Sequence, residues 1–125
     1  MHILVVDDEQ DVQSLFEQRF RKEIKARKLA LSFAFSGQQA VHYLEEHAGD
    51  TQLVLSDINM PGMSGLELLR HIKQEQAAPA PKVMMISAYG DEENCQRAKS
   101  LGADEFLTKP LDFNLLKEKL RLDML

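Results

Sequence analysis

Short runs of apolar residues, each about as long as a β-strand, recur along the chain and constrain its fold more than any other feature. The runs lie at residues 2–6, 31–35, 53–55, 83–86 and 105–107. Around Val5, Leu55 and Met85, apolar residues follow one another without alternating with polar ones. Strands of that kind are buried on both faces, as in a parallel sheet covered by helices. The sequence therefore predicts an α/β protein with a five-stranded parallel sheet.

Signals for the ends of helices lie between these runs. Ser36 and Ser64 each precede a Gln or Glu by three residues, which is the spacing of a capping box at the start of a helix. Asp91 and Asp112 are also suited to cap a helix start, and Gly102 is suited to the left-handed position after a helix end. We therefore predict that a helix follows each of the five runs.

The alternation of strands and helices also predicts how the sheet is wound. Five strand–helix units joined by right-handed crossovers form a doubly wound sheet rather than a meander, and a barrel would need eight strands. The first helix is predicted over residues 11–28, and the last from residue 112 to the end of the chain. Their predicted inward-facing residues are Val12, Leu15, Phe16, Phe20, Leu115, Leu116 and Leu120.

Composition excludes several classes of protein. The 125 residues are 44% hydrophobic, which is enough for one core, so residues 1–125 are predicted to form a single domain. Fifteen Lys and Arg against twenty Asp and Glu give a net charge of -5, which argues against binding nucleic acid. The single cysteine excludes an internal disulfide and suits a reducing compartment. The first apolar run is too short for a signal peptide or membrane span, so we expect a cytoplasmic protein without membrane contact.

Charged and polar side chains follow four of the five runs. Asp7 and Asp8 come after the first run, Asp57 after the third, Ser87 after the fourth and Lys109 after the fifth. In a doubly wound sheet, ligands bind beyond the carboxyl ends of the strands. If the first and third strands are neighbours, three carboxylates converge and repel one another unless a cation or a proton neutralises them. Oxygen ligands without His or Cys favour Mg²⁺, for which Mn²⁺ could substitute.

A divalent ion beside a carboxylate favours phosphoryl transfer. The carboxylate of Asp57 would be the nucleophile, while the ion and a cationic side chain would absorb the charge that develops on the phosphoryl oxygens. Lys109 would supply the compact positive charge, and Ser87 a hydroxyl donor to a phosphoryl oxygen. The residues at the strand ends are therefore interpreted as a phosphoryl-transfer site.

Four segments carry a resemblance to a known family. They are ILVVDDE at residues 3–9, LSDINMPGMSG at 55–65, SA at 87–88 and LTKPL at 107–111. Together they closely resemble the receiver domain of two-component response regulators, and the resemblance covers essentially the whole chain. It implies a flavodoxin-like fold with strand order 2-1-3-4-5.

The resemblance implies a role for each matching residue of the site. Asp57 would accept the phosphoryl group from a phosphohistidine on a sensor histidine kinase or a phosphotransfer protein. Mg²⁺ would be held by Asp7, Asp8, Asp57 and the backbone carbonyl of Asn59, and Lys109 would bind the phosphoryl group. Such a protein catalyses its own phosphorylation and dephosphorylation, but it is a signalling switch and not an enzyme acting on a separate substrate.

Two residues match the family's switch positions. Ser87 and Phe106 stand where threonine and tyrosine are the more common residues. Ser87 would move toward the phosphoryl group, Phe106 would turn inward, and the surface of the fourth helix, fifth strand and fifth helix would change shape. That surface would control an output domain beyond Leu125 or a separate partner protein, and dimerisation through it on phosphorylation is a further hypothesis. The Lys109–Pro110 bond is expected to be cis.

Two other functions fit parts of the pattern. A phosphatase of the haloacid dehalogenase type shares the α/β fold and Mg²⁺, but it carries an Asp-x-Asp motif after the first strand, which Asp7-Asp8-Glu9 does not match. The chain also has no room for the cap domain of such an enzyme. A binding module that is no longer phosphorylated would not need the complete set of acidic, hydroxyl and lysine residues found here.

Two residues close to the predicted site have separate interpretations. Tyr89 lies two positions after Ser87, where its ring would slow the approach of a hydrolytic water. Cys95, on the predicted fourth helix, is interpreted as an ordinary small side chain.

Overall fold

The computed structural model describes residues 1–47, 49–75, 80–88 and 90–120. Tyr89 and the predicted last turn of the final helix lie outside this range. The strands are β1 (His2–Val6), β2 (Ala30–Ala34), β3 (Leu53–Asp57), β4 (Lys82–Ser87) and β5 (Glu105–Thr108). The helices of the described residues are α1 (Asp11–Arg19), α2 (Arg21–Lys25), α3 (Gly37–Glu46), α4 (Gly65–Glu75), α5 (Glu92–Ser100) and α6 (Phe113–Leu120).

The five strands form one parallel sheet in the order β2-β1-β3-β4-β5. The predicted fold class and strand order are therefore confirmed. The register aligns Val5 with Leu55, which brings the ends of β1 and β3 to the same edge of the sheet. Ser87 aligns with Thr108 at the same edge. The residues that follow β1, β3, β4 and β5 therefore meet at one end of the molecule.

The core has two layers, one on each face of the sheet. Alternate residues of a strand point to opposite faces, so Leu4 and Ile3 of β1 enter different layers. Leu4 packs with residues of α3, α4 and α5, and Ile3 packs with residues of α1 and α6. Both side chains are at least 98% buried. Burial on both faces explains why the central strands read as continuous apolar runs.

Polar side chains cap the helices as the sequence predicts. The side-chain oxygens of Ser36 and Ser64 accept hydrogen bonds from the backbone N–H groups three residues later, at 3.1 and 3.2 Å. Asp91 and Asp112 accept the corresponding bonds at the starts of α5 and α6, at 3.4 and 3.2 Å. Gly102 follows α5 with a φ of 95°, which is the left-handed conformation expected after a helix end.

The prediction of one continuous helix over residues 11–28 is wrong, because the helix is interrupted in the middle. The backbone leaves the helical conformation at Phe20, where φ is -105° and ψ is 17°, and α2 begins at the next residue. The ring of Phe20 is 99% buried and lies 6.0 Å from the ring of Phe113 in α6. Glu23 of α2 pairs with Lys117 of α6 at 3.2 Å. The interruption therefore accompanies contacts that tie α2 to α6, which periodicity alone does not reveal.

Two predicted core residues are exposed instead. Leu15 of α1 is 40% exposed and Leu115 of α6 is 43% exposed. The neighbouring residues Phe16 of α1 and Leu116 of α6 are buried. The buried face of each helix is therefore narrower than predicted.

The helices of the described residues are too short or too polar to cross a membrane.

Candidate functional site

Three carboxylates converge at the carboxyl edge of the sheet. Asp7 and Asp8 follow β1, and Asp57 is the last residue of β3. One carboxylate oxygen of each residue lies within 4.8 Å of the others. Asp7 and Asp57 are buried and Asp8 is exposed. The pairing of β1 with β3 therefore produces the acidic cluster that the sequence predicts for neighbouring strands.

Asp57 is held on both of its carboxylate oxygens. The Nζ atom of Lys109 lies 2.6 Å from Oδ2, and the backbone N–H of Asn59 donates to Oδ1 at 3.2 Å. The Asp57 side chain is 5% exposed, whereas that of Lys109 is 42% exposed. The carboxylate is thus fixed in orientation, and its cationic partner reaches it from the solvent side. The role of the Asn59 carbonyl as a metal ligand stays a prediction.

The start of helix α4 lies directly against the backbone of Asp57. The N–H of Gly65 donates to the carbonyl of Ile58 at 2.8 Å. A Cβ added at Gly65 would overlap the carbonyl oxygen of Asp57 and lie 2.8 Å from the Cα of Ile58. Only glycine fits this position without a shift of the backbone. Gly65 therefore permits the contact between α4 and the end of β3.

The environment of Asp7 opposes its ionised form. Burial raises the pKa of the Asp7 carboxyl above its ordinary value of 3.8, and the charges of Asp57 and Asp8 raise it further. A hydrogen bond from the backbone N–H of Glu9, at 2.9 Å, and the charge of Lys109 act in the opposite direction without cancelling the rise. The acidic cluster is therefore electrostatically unfavourable when all of its members are ionised.

Lys109 is the positive charge of this site. Burial lowers the pKa of its ammonium group, but the hydrogen bond and the charge of Asp57, with the charges of Asp7 and Glu9, outweigh burial and raise the pKa above 10.5. Its backbone N–H donates to the carbonyl of Ser87 at 2.9 Å. The Lys109–Pro110 peptide bond is cis, as predicted. Lys109 is thus firmly protonated and directed at Asp57.

The donor set of the cluster fits a hard divalent cation. Three carboxylates face one lysine, so the site keeps an excess of negative charge when all are ionised. The metal-ligand atoms brought together are oxygens alone, which suits Mg²⁺ better than the metals that select His or Cys. Asp7, Asp8 and Asp57 are the residues that would hold it. A bound cation would also relieve the repulsion that raises the pKa of Asp7.

The predicted switch residues, Ser87 and Phe106, are not part of the acidic cluster. Ser87 ends β4 and is 99% buried. Its Oγ atom lies 3.2 Å from the Sγ atom of Cys95 in α5. Phe106 of β5 is partly buried, and the Nζ atom of Lys99 lies 5.7 Å from its ring centroid. The contact of Cys95 with Ser87 was not predicted from the sequence. The predicted cap at Asp91 was the one available signal, because it starts α5 just beyond β4 and so places Cys95 close to the end of that strand.

Comparison with known proteins identifies the family. Residues 3–121 match the response regulator receiver domain family. The response regulator RppA of Synechocystis is 34% identical over 122 residues, covering 97% of this chain and 49% of its own length. PilR of Pseudomonas aeruginosa is 36% identical over 115 residues, covering 92% of this chain and 24% of its own length. The chain thus spans at most about half the length of these relatives.

Solved structures agree with this assignment. A response regulator receiver protein from Pseudomonas putida is 29% identical, with a TM-score of 0.80, and the match covers 96% of this chain and 94% of that one. TrrA from Thermotoga maritima, solved in complex with Mg²⁺ and BeF, is 31% identical, with a TM-score of 0.75 and 96% of both chains covered. This chain belongs to the receiver domain family of two-component response regulators.

Proposed function

We propose that this receiver domain, predicted over residues 1–125, is switched by phosphorylation of Asp57. The observation that carries the proposal is the buried Asp57 carboxylate, with Lys109 at 2.6 Å and two further carboxylates within 4.8 Å. The donor would be a phosphohistidine on a sensor histidine kinase or a phosphotransfer protein. Asp57 is oriented by the hydrogen bonds described above, so little reorganisation is needed before attack.

The proposed transfer is a nucleophilic displacement at phosphorus. A carboxylate oxygen of Asp57 forms a P–O bond while the P–N bond of the phosphohistidine breaks, and the imidazole keeps that electron pair and takes up a proton. Lys109 neutralises charge on the phosphoryl oxygens during transfer. Autocatalytic dephosphorylation removes the phosphoryl group again. Water attacks phosphorus, and the Asp57 carboxylate leaves with the electron pair of the P–O bond.

The acidic cluster is proposed to hold Mg²⁺, with Mn²⁺ as a substitute. Bound there, the ion would neutralise charge on the phosphoryl oxygens. Asp7 and Asp8 contribute carboxylate oxygens, and the backbone carbonyl of Asn59 is the proposed additional ligand. Without the cation, the phosphoryl group would add negative charge to a cluster that already carries an excess of it.

The proposed signal travels through Ser87 and Phe106. Ser87 would turn its hydroxyl to a phosphoryl oxygen and Phe106 would turn inward, which changes the surface formed by α5, β5 and α6. This surface corresponds to the fourth helix, fifth strand and fifth helix of the sequence prediction, because the first predicted helix is divided in two. An output domain or a partner protein would read the change, and dimerisation through the same surface is a second hypothesis. A cytoplasmic location, like the lack of binding to nucleic acid or membrane, stays a prediction.

Intact mass after incubation with acetyl phosphate and Mg²⁺ tests the proposal. We expect one phosphoryl adduct in the wild type, none in Asp57→Asn, and none when EDTA removes the metal. Asp11→Asn is a matched control, because Asp11 is an exposed acid in the first turn of α1. An adduct that persists in Asp57→Asn would overturn the assignment of the acceptor. No adduct under any condition would favour a binding module that is not phosphorylated.

A further inference from the structure

The hydroxyl of Ser87 is engaged by a side chain from a different element. It is 99% buried, and a buried hydroxyl normally has a hydrogen-bond partner. Among the described residues its partner is Cys95, with 3.2 Å between Oγ and Sγ. In the described part of the chain this hydroxyl makes no hydrogen bond to Asp57, although Ser87 is the hydroxyl that the proposed function directs to the phosphoryl group.

We propose that Cys95 is a positioning residue for the switch. Its thiol holds the Ser87 hydroxyl in the resting orientation, and through this contact it ties α5 to β4 until Asp57 is phosphorylated. The proposal rests on the proposed phosphorylation of Asp57. It differs from the interpretation of Cys95 as an ordinary small side chain, because it depends on the hydrogen bond and not on the volume of the thiol.

The chemistry of the contact suits a bond that must be exchanged. A thiol is a weak donor and a weak acceptor, so the bond orients the hydroxyl without holding it strongly. A phosphoryl oxygen is charged, and hydrogen bonds to charged acceptors are about twice as strong as neutral ones. Phosphorylation of Asp57 would therefore draw the hydroxyl away from Cys95. Threonine at this position would be stiffer at χ1 than serine, so serine makes the exchange easier.

The position of Cys95 means that loss of this hydrogen bond would affect the packing of α5. The nine residues of α5 include one that is fully buried, Ala98, so few contacts hold this helix against the sheet. Cys95 lies four residues after the cap residue Asp91, near the start of α5. The same helix carries Lys99, which contacts the ring of Phe106. Release of Cys95 therefore loosens the element that borders the second switch residue.

The bond itself is tested on the unphosphorylated protein by infrared spectroscopy. The chain has a single cysteine, so its S–H stretching band reports on Cys95 alone. We expect the band to shift in Ser87→Ala, and to shift in the wild type when beryllofluoride and Mg²⁺ are added. A band with the same frequency in the wild type and Ser87→Ala would overturn the proposal. The comparison of the wild type with Ser87→Ala needs neither phosphoryl transfer nor its mimic, so it remains decisive if the proposed function fails.

The effect on the switch is tested by a double-mutant cycle with acetyl phosphate as donor. Cys95→Ala frees the Ser87 hydroxyl, and we expect it to raise the rate of phosphorylation about two- to tenfold, the range for one net hydrogen bond. In a Ser87→Ala background the same substitution should change nothing. Cys95→Ser keeps a hydrogen-bonding group and, because a hydroxyl is a stronger partner than a thiol, should show no rise in the rate of phosphorylation. An equal effect of Cys95→Ala in both backgrounds would show a role in packing only and would overturn the proposal.

Discussion

Replacing Asp7 with asparagine should stabilise the metal-free protein, even though it removes a carboxylate from the proposed Mg²⁺ site. Burial and the neighbouring carboxylates raise the pKa of Asp7, so ionisation of this side chain costs the folded state free energy. Asparagine has nearly the same shape, and its side-chain oxygen can still accept the hydrogen bond from the N–H of Glu9. The substitution therefore removes the charge and keeps the local geometry.

The separation of the carboxylates sets the size of the effect. Two like charges that lie within 4.8 Å of one another repel by about 3.5 kcal/mol or more at an effective dielectric constant of about 20. Lys109 offsets part of this repulsion, and solvent around the exposed Asp8 screens more. We expect a net stabilisation of about 1–2 kcal/mol in Asp7→Asn, which corresponds to a rise in Tm of about 4–8 °C for a domain of this size.

Thermal unfolding of the wild type and Asp7→Asn in EDTA and in Mg²⁺ is the assay. A raised carboxyl pKa favours the folded state below the unfolded value and loses that advantage as pH rises through the folded value. The advantage of the variant should thus be small in acid and grow as the pH passes the raised pKa. Mg²⁺ at ten times its Kd should stabilise only the wild type, by about 1.4 kcal/mol. A variant less stable than the wild type in EDTA at neutral pH would refute this reasoning.

Three further substitutions have expected outcomes. Lys109→Gln should lower the free energy of unfolding by about 1 kcal/mol at pH 7 in EDTA. Chemical denaturation across an alkaline series should show this difference vanish as the pH rises through the raised pKa of Lys109. A difference that stays constant would contradict the pairing with Asp57. Gly65→Ala should cost about 2 kcal/mol or more, because the added Cβ overlaps the Asp57 carbonyl, and a variant of wild-type stability would disprove that contact. Asp112→Ala should cost about 1 kcal/mol through loss of the α6 cap while mass spectrometry shows unchanged phosphorylation.

The fold was predictable because its main signals are local. Continuous apolar runs predict buried parallel strands, and Ser64 and Asp112 mark the starts of helices by their own hydrogen bonds. The depth of each helix in the core was less predictable. Leu15 and Leu115 are apolar and correctly spaced, yet both are exposed, whereas the adjacent residues Phe16 and Leu116 are buried.

The site was predictable only in part, for a different physical reason. Acidic residues at the ends of neighbouring strands must converge once the sheet forms, so the carboxylate cluster follows from the strand order. The partner of the Ser87 hydroxyl does not, because it depends on how α5 is rotated about its axis. The break at Phe20 likewise accompanies packing against Phe113 in α6, a contact between residues far apart in the chain.

The acidic cluster also has a consequence for the stage of synthesis at which the proposed Mg²⁺ site can form. Asp7 follows β1 and Asp57 ends β3, and these two strands pair directly. A nascent chain that has emerged only through α3 carries the first two acids but no neighbouring strand to complete the cluster. Affinity for Mg²⁺ should therefore appear on the ribosome only after β3 has emerged and docked beside β1. Among stalled nascent chains, one that has emerged through β3 should be the shortest able to bind Mg²⁺.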